Sequence, residues 1–286
     1  MTPTFITQWK RRIKGTLKKY RLTYIRWRNG FGANELQAAL KKLGVHRGDV
    51  LLVHSSLDRL EAFTGTITEI ITTLQESVGP EGLLLMPTMP FSGSALEWVG
   101  SNTVFDIQKT PSRSGLLTEL FRRSPGVIRS LHPTHAVAIW GDRADSFGRD
   151  HHTSTTPCGK GSPYAKLLEV NGKILLLGVD LSAMTFFHSV EEMLESRMPI
   201  SPFTKESFQL QSRTATGALV TTTTRLYDPV LSKKRRIHPL KPLLQSRPGQ
   251  WRQMPLGTTS MILLDAKDVV TALFDMAAEG RFCYEI

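Results

Sequence analysis

The sequence predicts an α/β protein: a layered α/β/α sheet with additional β-strands, preceded by a basic helical extension. Three observations predict it. Short apolar runs recur along the chain, and residues 49–53, 82–86 and 173–179 are the clearest. Segments with apolar residues at helical spacing lie between those runs. At 286 residues the chain can build one large domain with ample core. Strand–helix alternation of this kind gives a sheet covered by helices.

The elements follow in order. Residues 34–43 have helical periodicity, with Leu36, Ala39, Leu40 and Leu43 on one face. Residues 49–53 (DVLLV) read as a buried strand that ends at His54, Ser55 and Ser56. Residues 66–78 are helical through Ile67, Ile70, Ile71 and Leu74. Residues 82–86 form a strand halted by Pro87. A helix over 114–123 stops near Pro125 and Gly126, and a strand covers 135–140. A helix over 162–169 ends near Gly172, and 173–179 is the strongest strand. The next helix covers 185–197. Residues 219–227 (LVTTTTRLY) are β-branched and suggest an added strand, and the tail repeats strand then helix over 260–264 and 265–278. Residues 94–114 and 149–162 are rich in small and turn residues and read as long, functional loops. No repeat or low-complexity linker divides the chain, so residues 34–286 read as one domain and 1–33 as the extension.

The charge is distributed unevenly. Residues 1–33 hold nine Lys or Arg and no acid, and residues 229–253 hold seven and no acid. The remaining body has 20 bases against 25 acids, because 16 of the 36 bases lie in those two segments. Basic segments attract polyanions: nucleic acid, anionic lipid heads or phosphate-bearing small molecules. No apolar run approaches the roughly 20 residues of a membrane span. The N-terminus lacks the apolar core and cleavage site of a secretory signal. Cys158 and Cys283 form no metal or redox spacing. A reduced, cytoplasmic protein is the expectation.

Open α/β sheets bind ligands at the carboxyl ends of their strands. Three such ends carry polar groups here: His54-Ser55-Ser56, Thr88, and the loop 180–185. The stretch TFFHSVEE, residues 185–192, raises the sharpest question. Thr185 is a good N-cap before apolar positions Phe186, Val190, Met193 and Leu194. His188 then falls in the first turn with Glu191 and Glu192 on its face. The helix N-terminus disfavours imidazolium, and the glutamates favour it. Such a histidine is either a base near pH 7 or part of an ordinary charged helix face. Other motifs are weaker. Gly159-Lys160-Gly161-Ser162 lacks the phosphate-loop order, and no nucleophile elbow occurs. His132-x-x-His135 and His151-His152 lack a third metal ligand, so no metal is expected. Nothing nearby in sequence activates Cys158.

Taken together, several segments resemble one family. They are Val53-His54-Ser55-Ser56, Leu85-Met86-Pro87-Thr88, Phe105-Asp106 before Thr110-Pro111, and Gly115-Leu116-Leu117. Arg129-Ser130-Leu131-His132-Pro133, Thr156-Pro157, Gly161-Ser162-Pro163, the run 172–179 and Thr185-x-x-His188-x-x-Glu191 complete the set. In order and spacing they resemble the aminoglycoside 3-N-acetyltransferases, a family distinct from the GNAT enzymes. The resemblance runs from about residue 34 to the C-terminus. It implies acetyl transfer from acetyl-CoA to the amine of an amino sugar, with acetyl-CoA as co-substrate and no metal. His188 matches the family's catalytic histidine and is the implied base. Asp228 is the implied acid that orients it, with Glu191 as the local alternative. Thr185 is implied near the thioester, and Ser55 and Ser56, with His54, where the family meets CoA. Arg129, Ser130 and His132 are implied to line the same cleft.

The chain departs from that family in charge. Aminoglycoside-binding members often carry acids soon after the Pro-Thr/Ser element. Here Glu97 is the first acid after Thr88, and Lys233-Lys234-Arg235-Arg236 follows Asp228. Like charges repel a polycation, so a nucleotide-linked amino sugar in surface-glycan synthesis is the alternative acceptor. A catalytically inactive polyanion-binding protein is the alternative of another class. No recognition-helix or base-stacking motif supports it, so no nucleic-acid partner is expected. The basic arm lies outside the resemblance. Trp9, Ile13, Leu17, Tyr20 and Tyr24 fall at helical spacing there, which suits peripheral contact of residues 1–30 with an anionic membrane.

Overall fold

The computed structural model describes residues 5–285, with side chains from residue 16 onward. The described residues form ten strands: β1 (Val50–Ser55), β2 (Leu83–Pro87), β3 (Phe105–Asp106), β4 (Ile128–Arg129), β5 (Val137–Trp140), β6 (Lys173–Leu177), β7 (Phe203–Arg213), β8 (Leu219–Tyr227), β9 (Arg252–Leu256) and β10 (Thr259–Asp265). Seven make the main sheet, in the order β4-β5-β2-β1-β6-β10-β9, and β3-β7-β8 make a second, smaller one. The centre of the main sheet, β2-β1-β6, is parallel. Strands β5 and β10 add to it antiparallel.

The parallel centre is apolar on both faces because helices cover both. Val50, Leu52, Leu83, Leu85, Ile174 and Leu176 face the cluster that includes helices Pro163–Glu169, Phe186–Leu194 and Ala266–Ala278. Leu51, Val53, Leu84, Met86, Leu175 and Leu177 face the other cluster, with helices Ala33–Leu43 and Ile67–Val78. This is the α/β/α layering the sequence predicts. Truncating a fully buried leucine such as Leu52 or Leu176 to alanine would cost about 2–5 kcal/mol through lost burial and the cavity left behind. The Ile67–Val78 helix starts where expected: Thr66 and Glu69 form a reciprocal cap.

Several details differ from the sequence reading. Strand β7 is eleven residues long and was not predicted, because TKESFQ breaks the apolar pattern; its long antiparallel pairing with β8 holds it. Strand β9 contains Pro255 and survives as an edge strand. The expected loop 94–114 contains a helix, Ala95–Gly100, capped by Ser94 and Glu97, and strand β3. The expected helix over 185–197 divides into Phe186–Leu194 and a 3-10 turn, Glu195–Arg197. Its polarity also differs: Met193 is exposed, whereas Phe187, His188 and Glu191 are buried.

The N-terminal arm is a helix, Phe5–Asn29. Ile25 packs against the core, Arg21 pairs with Glu61, and Arg26 Nε donates to the Glu61 carbonyl. The side chains of Trp9 and Ile13, and of the bases Lys10, Arg11, Arg12 and Lys14, lie outside the described residues. The second basic segment is split by structure. Arg236, Arg247 and Arg252 pair with Glu285, Asp275 and Asp265. Lys233 and Arg235 instead reach the cleft described next.

Candidate active site

β6 delivers the chain to the carboxyl edge of the sheet. Gly178 turns there at φ 72°, a left-handed conformation that suits glycine. Asp180 accepts from Ser182 N and opens a short 3-10 turn, Leu181–Ala183. The chain then enters the Phe186–Leu194 helix. Its first turn forms one wall of a cleft of about 480 Å³. Segment 89–97, His135, Tyr227 and the stretch 229–235 supply the other walls.

His188 is buried on this wall and held from three sides. Its Nδ1 lies 2.5 Å from Glu191 Oε2, one helical turn on. Tyr227 covers one ring face with centroids 4.1 Å apart, and His135 meets it at 6.4 Å, edge to face. Nε2 has no protein partner among the described residues. Burial, aided by the charge of Arg235, holds the imidazole well below its usual pKa. Burial also pushes the Glu191 carboxyl up to about 8. Both shifts disfavour charge, so the dyad resists becoming an open ion pair.

A second carboxyl supports the arrangement from behind. Glu192 accepts from Tyr227 Oη at 2.6 Å, Thr156 Oγ1 at 2.5 Å and Cys158 N at 3.0 Å. Burial raises it to about 7, against those three hydrogen bonds, which lower it. The tyrosine that covers His188 is thereby tied to the loop at 156–158.

The other residues singled out in sequence fall in different places. Thr185 lines the cleft at the helix start, but its side chain makes no cap bond. Asp228 is not at His188. Its Oδ1 accepts from Val230 N and Leu231 N and caps the short Pro229–Lys233 helix. Glu191, the local alternative, is the acid on the imidazole. His54 points into the core from β1, as strand alternation with Val50 and Leu52 requires. Its Nε2 is buried without a partner, and burial lowers its pKa to about 3. Ser55 and Ser56 are half-buried at the end of β1, and Ser56 N is spent on the Leu177 carbonyl.

Arg129, Ser130 and His132 do not line the cleft; they brace the loop behind it. Arg129 donates to Thr88 Oγ1, to the carbonyls of Thr88 and Thr110, and lies over Phe105. Ser130 Oγ bonds His151 Nδ1 and accepts from Val137 N. His132 Nδ1 accepts from Thr134 N and His135 N, and its ring stacks on His151 at 4.6 Å. These bonds fix His135 in the cleft wall. The sequence presents His135 only as half of a metal pair and does not single out Tyr227 or Arg235 as cleft residues, nor Glu192 as the anchor of Tyr227. The one signal was position: Tyr227 ends β8 directly before Asp228, and Arg235 follows the short helix that Asp228 caps. Among the described residues no three His, Cys, Asp or Glu side chains converge to hold a metal.

A family model for aminoglycoside 3-N-acetyltransferases matches residues 52–278. The chain belongs to that family.

Aminoglycoside N(3)-acetyltransferase III of Acinetobacter baumannii is 31% identical over 169 residues, 55% of this chain and 59% of that protein. A relative from Bacillus subtilis, the prophage-derived aminoglycoside N(3')-acetyltransferase-like protein YokD, is 32% identical over 168 residues, 53% of this chain and 61% of that one. By sequence, this 3-N-acetyltransferase homologue thus spans about three fifths of the curated relatives it matches. Its fold is similar to that of AAC-IIIb in a binary complex with CoASH: TM-score 0.73 and 25% identity, over 90% of this chain and 99% of that one. It is also similar to a histidine-to-alanine variant of AAC(3)-IVa in complex with a gentamicin: TM-score 0.72 and 27% identity, over 88% and 90% of the chains.

Proposed function

We propose that the protein is a CoA-dependent N-acetyltransferase that moves an acetyl group from acetyl-CoA to the amine of an amino sugar. The observation that carries this reading is the His188–Glu191 dyad at the wall of an open cleft, with Nε2 left without a protein partner. The CoASH complex of a family member supports acetyl-CoA as the co-substrate. The acceptor amine attacks the thioester carbonyl while His188 Nε2 takes its proton. Glu191 accepts from Nδ1–H and stabilises the imidazolium that forms. The tetrahedral intermediate collapses, the C–S bond breaks, and the imidazolium returns its proton to the leaving CoA thiolate. Thr185, at the N-terminal end of a nine-residue helix, is suited to stabilise the oxyanion. Ser55 and Ser56, at the end of β1, are suited to meet the pantetheine arm. His54, Arg129, Ser130 and His132 are read as the frame behind the site. Asp228 is read as a helix cap.

The charge of the cleft favours one kind of acceptor. Glu97 is the one carboxylate lining it among the described residues, and Lys233 and Arg235 line it too. A nucleotide-linked amino sugar, which brings a diphosphate, suits that lining better than a polycation. The gentamicin complex of a relative keeps the aminoglycoside as the rival acceptor.

The test is thiol release from acetyl-CoA by the purified protein, with a 2-deoxystreptamine aminoglycoside against nucleotide-linked 3- or 4-amino sugars. Turnover with the aminoglycoside would assign a resistance role. Turnover only with the nucleotide sugar would assign a role in surface-glycan synthesis. Steep salt-dependent binding to DNA or RNA without CoA binding would instead make the chain an inactive polyanion-binding protein.

A further inference from the structure

The N-terminal helix presents an apolar stripe to solvent that the catalytic reading does not use. Leu17, Tyr20, Tyr24 and Trp27 are 63%, 72%, 54% and 80% exposed. Their spacing is i, i+3, i+7, i+10, which places them within an arc of roughly 80° on an α-helix. The helix docks by its other side. Leu22 and Ile25 are partly covered, Ile25 packs on the core, and Arg21 and Arg26 hold Glu61. The stripe therefore points away from the domain. The sequence continues the spacing upstream with Trp9 and Ile13.

Charge selects among possible occupants. Residues 1–33 carry nine Lys or Arg and no acid. A second copy meeting this face with its own would set nine positive charges against nine. Nucleic acid answers the charge but not an outward Leu and a continuous aromatic stripe. A lipid surface answers both. Tyr and Trp rings favour the headgroup boundary, where one end is wet and the other apolar. Lys and Arg stems lie along apolar surface while their charges reach anionic heads. The helix is too polar to cross a bilayer, and no described helix is long and apolar enough to do so. We propose that the Phe5–Asn29 helix lies in the plane of an anionic membrane surface, with Leu17, Tyr20, Tyr24 and Trp27 in the headgroup layer, and holds the domain there as a peripheral protein.

The experiment is flotation of the full chain with phosphatidylcholine vesicles containing about one-third phosphatidylglycerol, beside pure phosphatidylcholine vesicles. The protein should float with the anionic vesicles and partition at least about tenfold less to the neutral ones. The full-length variant carrying Leu17→Ser, Tyr20→Ser, Tyr24→Ser and Trp27→Ser keeps Ile25 and every base. It should lose at least about a hundredfold in partitioning, with an unchanged circular dichroism spectrum and melting temperature. A wild-type chain that stays with the vesicle-free fraction overturns the proposal. So does a variant that floats as the wild type does, because charge alone would then be the cause. A concentration-dependent dimer that the four substitutions abolish would overturn it too, by making the stripe a protein interface. None of these readouts depends on turnover, so the catalytic reading stands or falls separately.

Discussion

Glu191 Oε2 sits 2.5 Å from His188 Nδ1, and both side chains are buried. The bond fixes which ring nitrogen remains for chemistry. It also joins two groups whose burial opposes charge on either one. His188→Ala should lower turnover by about 10²–10⁴-fold, the usual contribution of a positioned base. The circular dichroism spectrum and the affinity for CoA, read by calorimetry, should stay close to wild type. Wild-type turnover in the variant would reduce His188 to a helix-face residue.

The dyad also predicts a pH profile. Glu191 rises from 4.5 to about 8 in the fold. Below about 8 the pair keeps the extra proton, and Nε2 is occupied. Above about 8, Nδ1–H is donated to the carboxylate and Nε2 is free. The rate constant kcat/KM should therefore climb with pH to a plateau above about 8. Glu191→Gln preserves an acceptor for Nδ1–H but cannot titrate. It should abolish that limb and lower the plateau about 10–100-fold, because the imidazolium loses its counter-charge. Stability runs the opposite way with pH. A carboxyl raised in the fold stabilises fully below its unfolded value of 4.5 and loses that contribution as pH rises through about 8. Thermal melts from pH 5 to 9 should show the wild type losing ground to Glu191→Gln.

His54→Leu separates a core role from a cofactor role. The imidazole carries a buried Nε2 without a partner, and its folded pKa of about 3 lies below the usual 6.5. Its stabilising contribution is present above 6.5 and is lost as pH falls toward about 3. Leucine removes the unsatisfied polar atom at similar volume. Stability at neutral pH should rise by about 1–2 kcal/mol, acid lability should lessen, and CoA affinity should hold. A loss of CoA affinity beyond about tenfold would put the imidazole at the cofactor after all.

Lys233→Ala with Arg235→Gln tests the acceptor assignment. With a nucleotide-linked amino sugar, KM should rise at least about tenfold, since two charged contacts to the diphosphate are lost. With an aminoglycoside, KM should fall instead, as like-charge repulsion is relieved. The reverse pattern would place the acceptor elsewhere in the cleft.

Some of the site was legible in the sequence because its contacts are local. His188 and Glu191 are three apart on one helix, so the spacing alone puts them together. Asp228 shows the limit of such reading. It stands beside the right strand exit, yet the nearest backbone N–H groups, those of Val230 and Leu231, claim its carboxylate first. Arg129, Ser130 and His132 carry polar atoms that look like ligand groups. The fold spends them on the carbonyl of Thr88, on His151 and on the backbone of His135. Buried polar groups must find partners, and sequence does not reveal whether a partner is a ligand or a loop.

The sequence by itself determined the layered α/β class, the position of its buried strands along the chain, the helix that carries His188 and the two basic segments. Those follow from short-range periodicity and composition, which act over a few residues. Only the tertiary structure decided that Tyr227 covers His188, that Glu192 anchors Tyr227, and that Lys233 and Arg235 face the cleft while Arg236 pairs with Glu285. It also decided that the outer stripe of the first helix is left uncovered. Each of these depends on how segments far apart in the chain pack against one another, and no local pattern encodes that geometry.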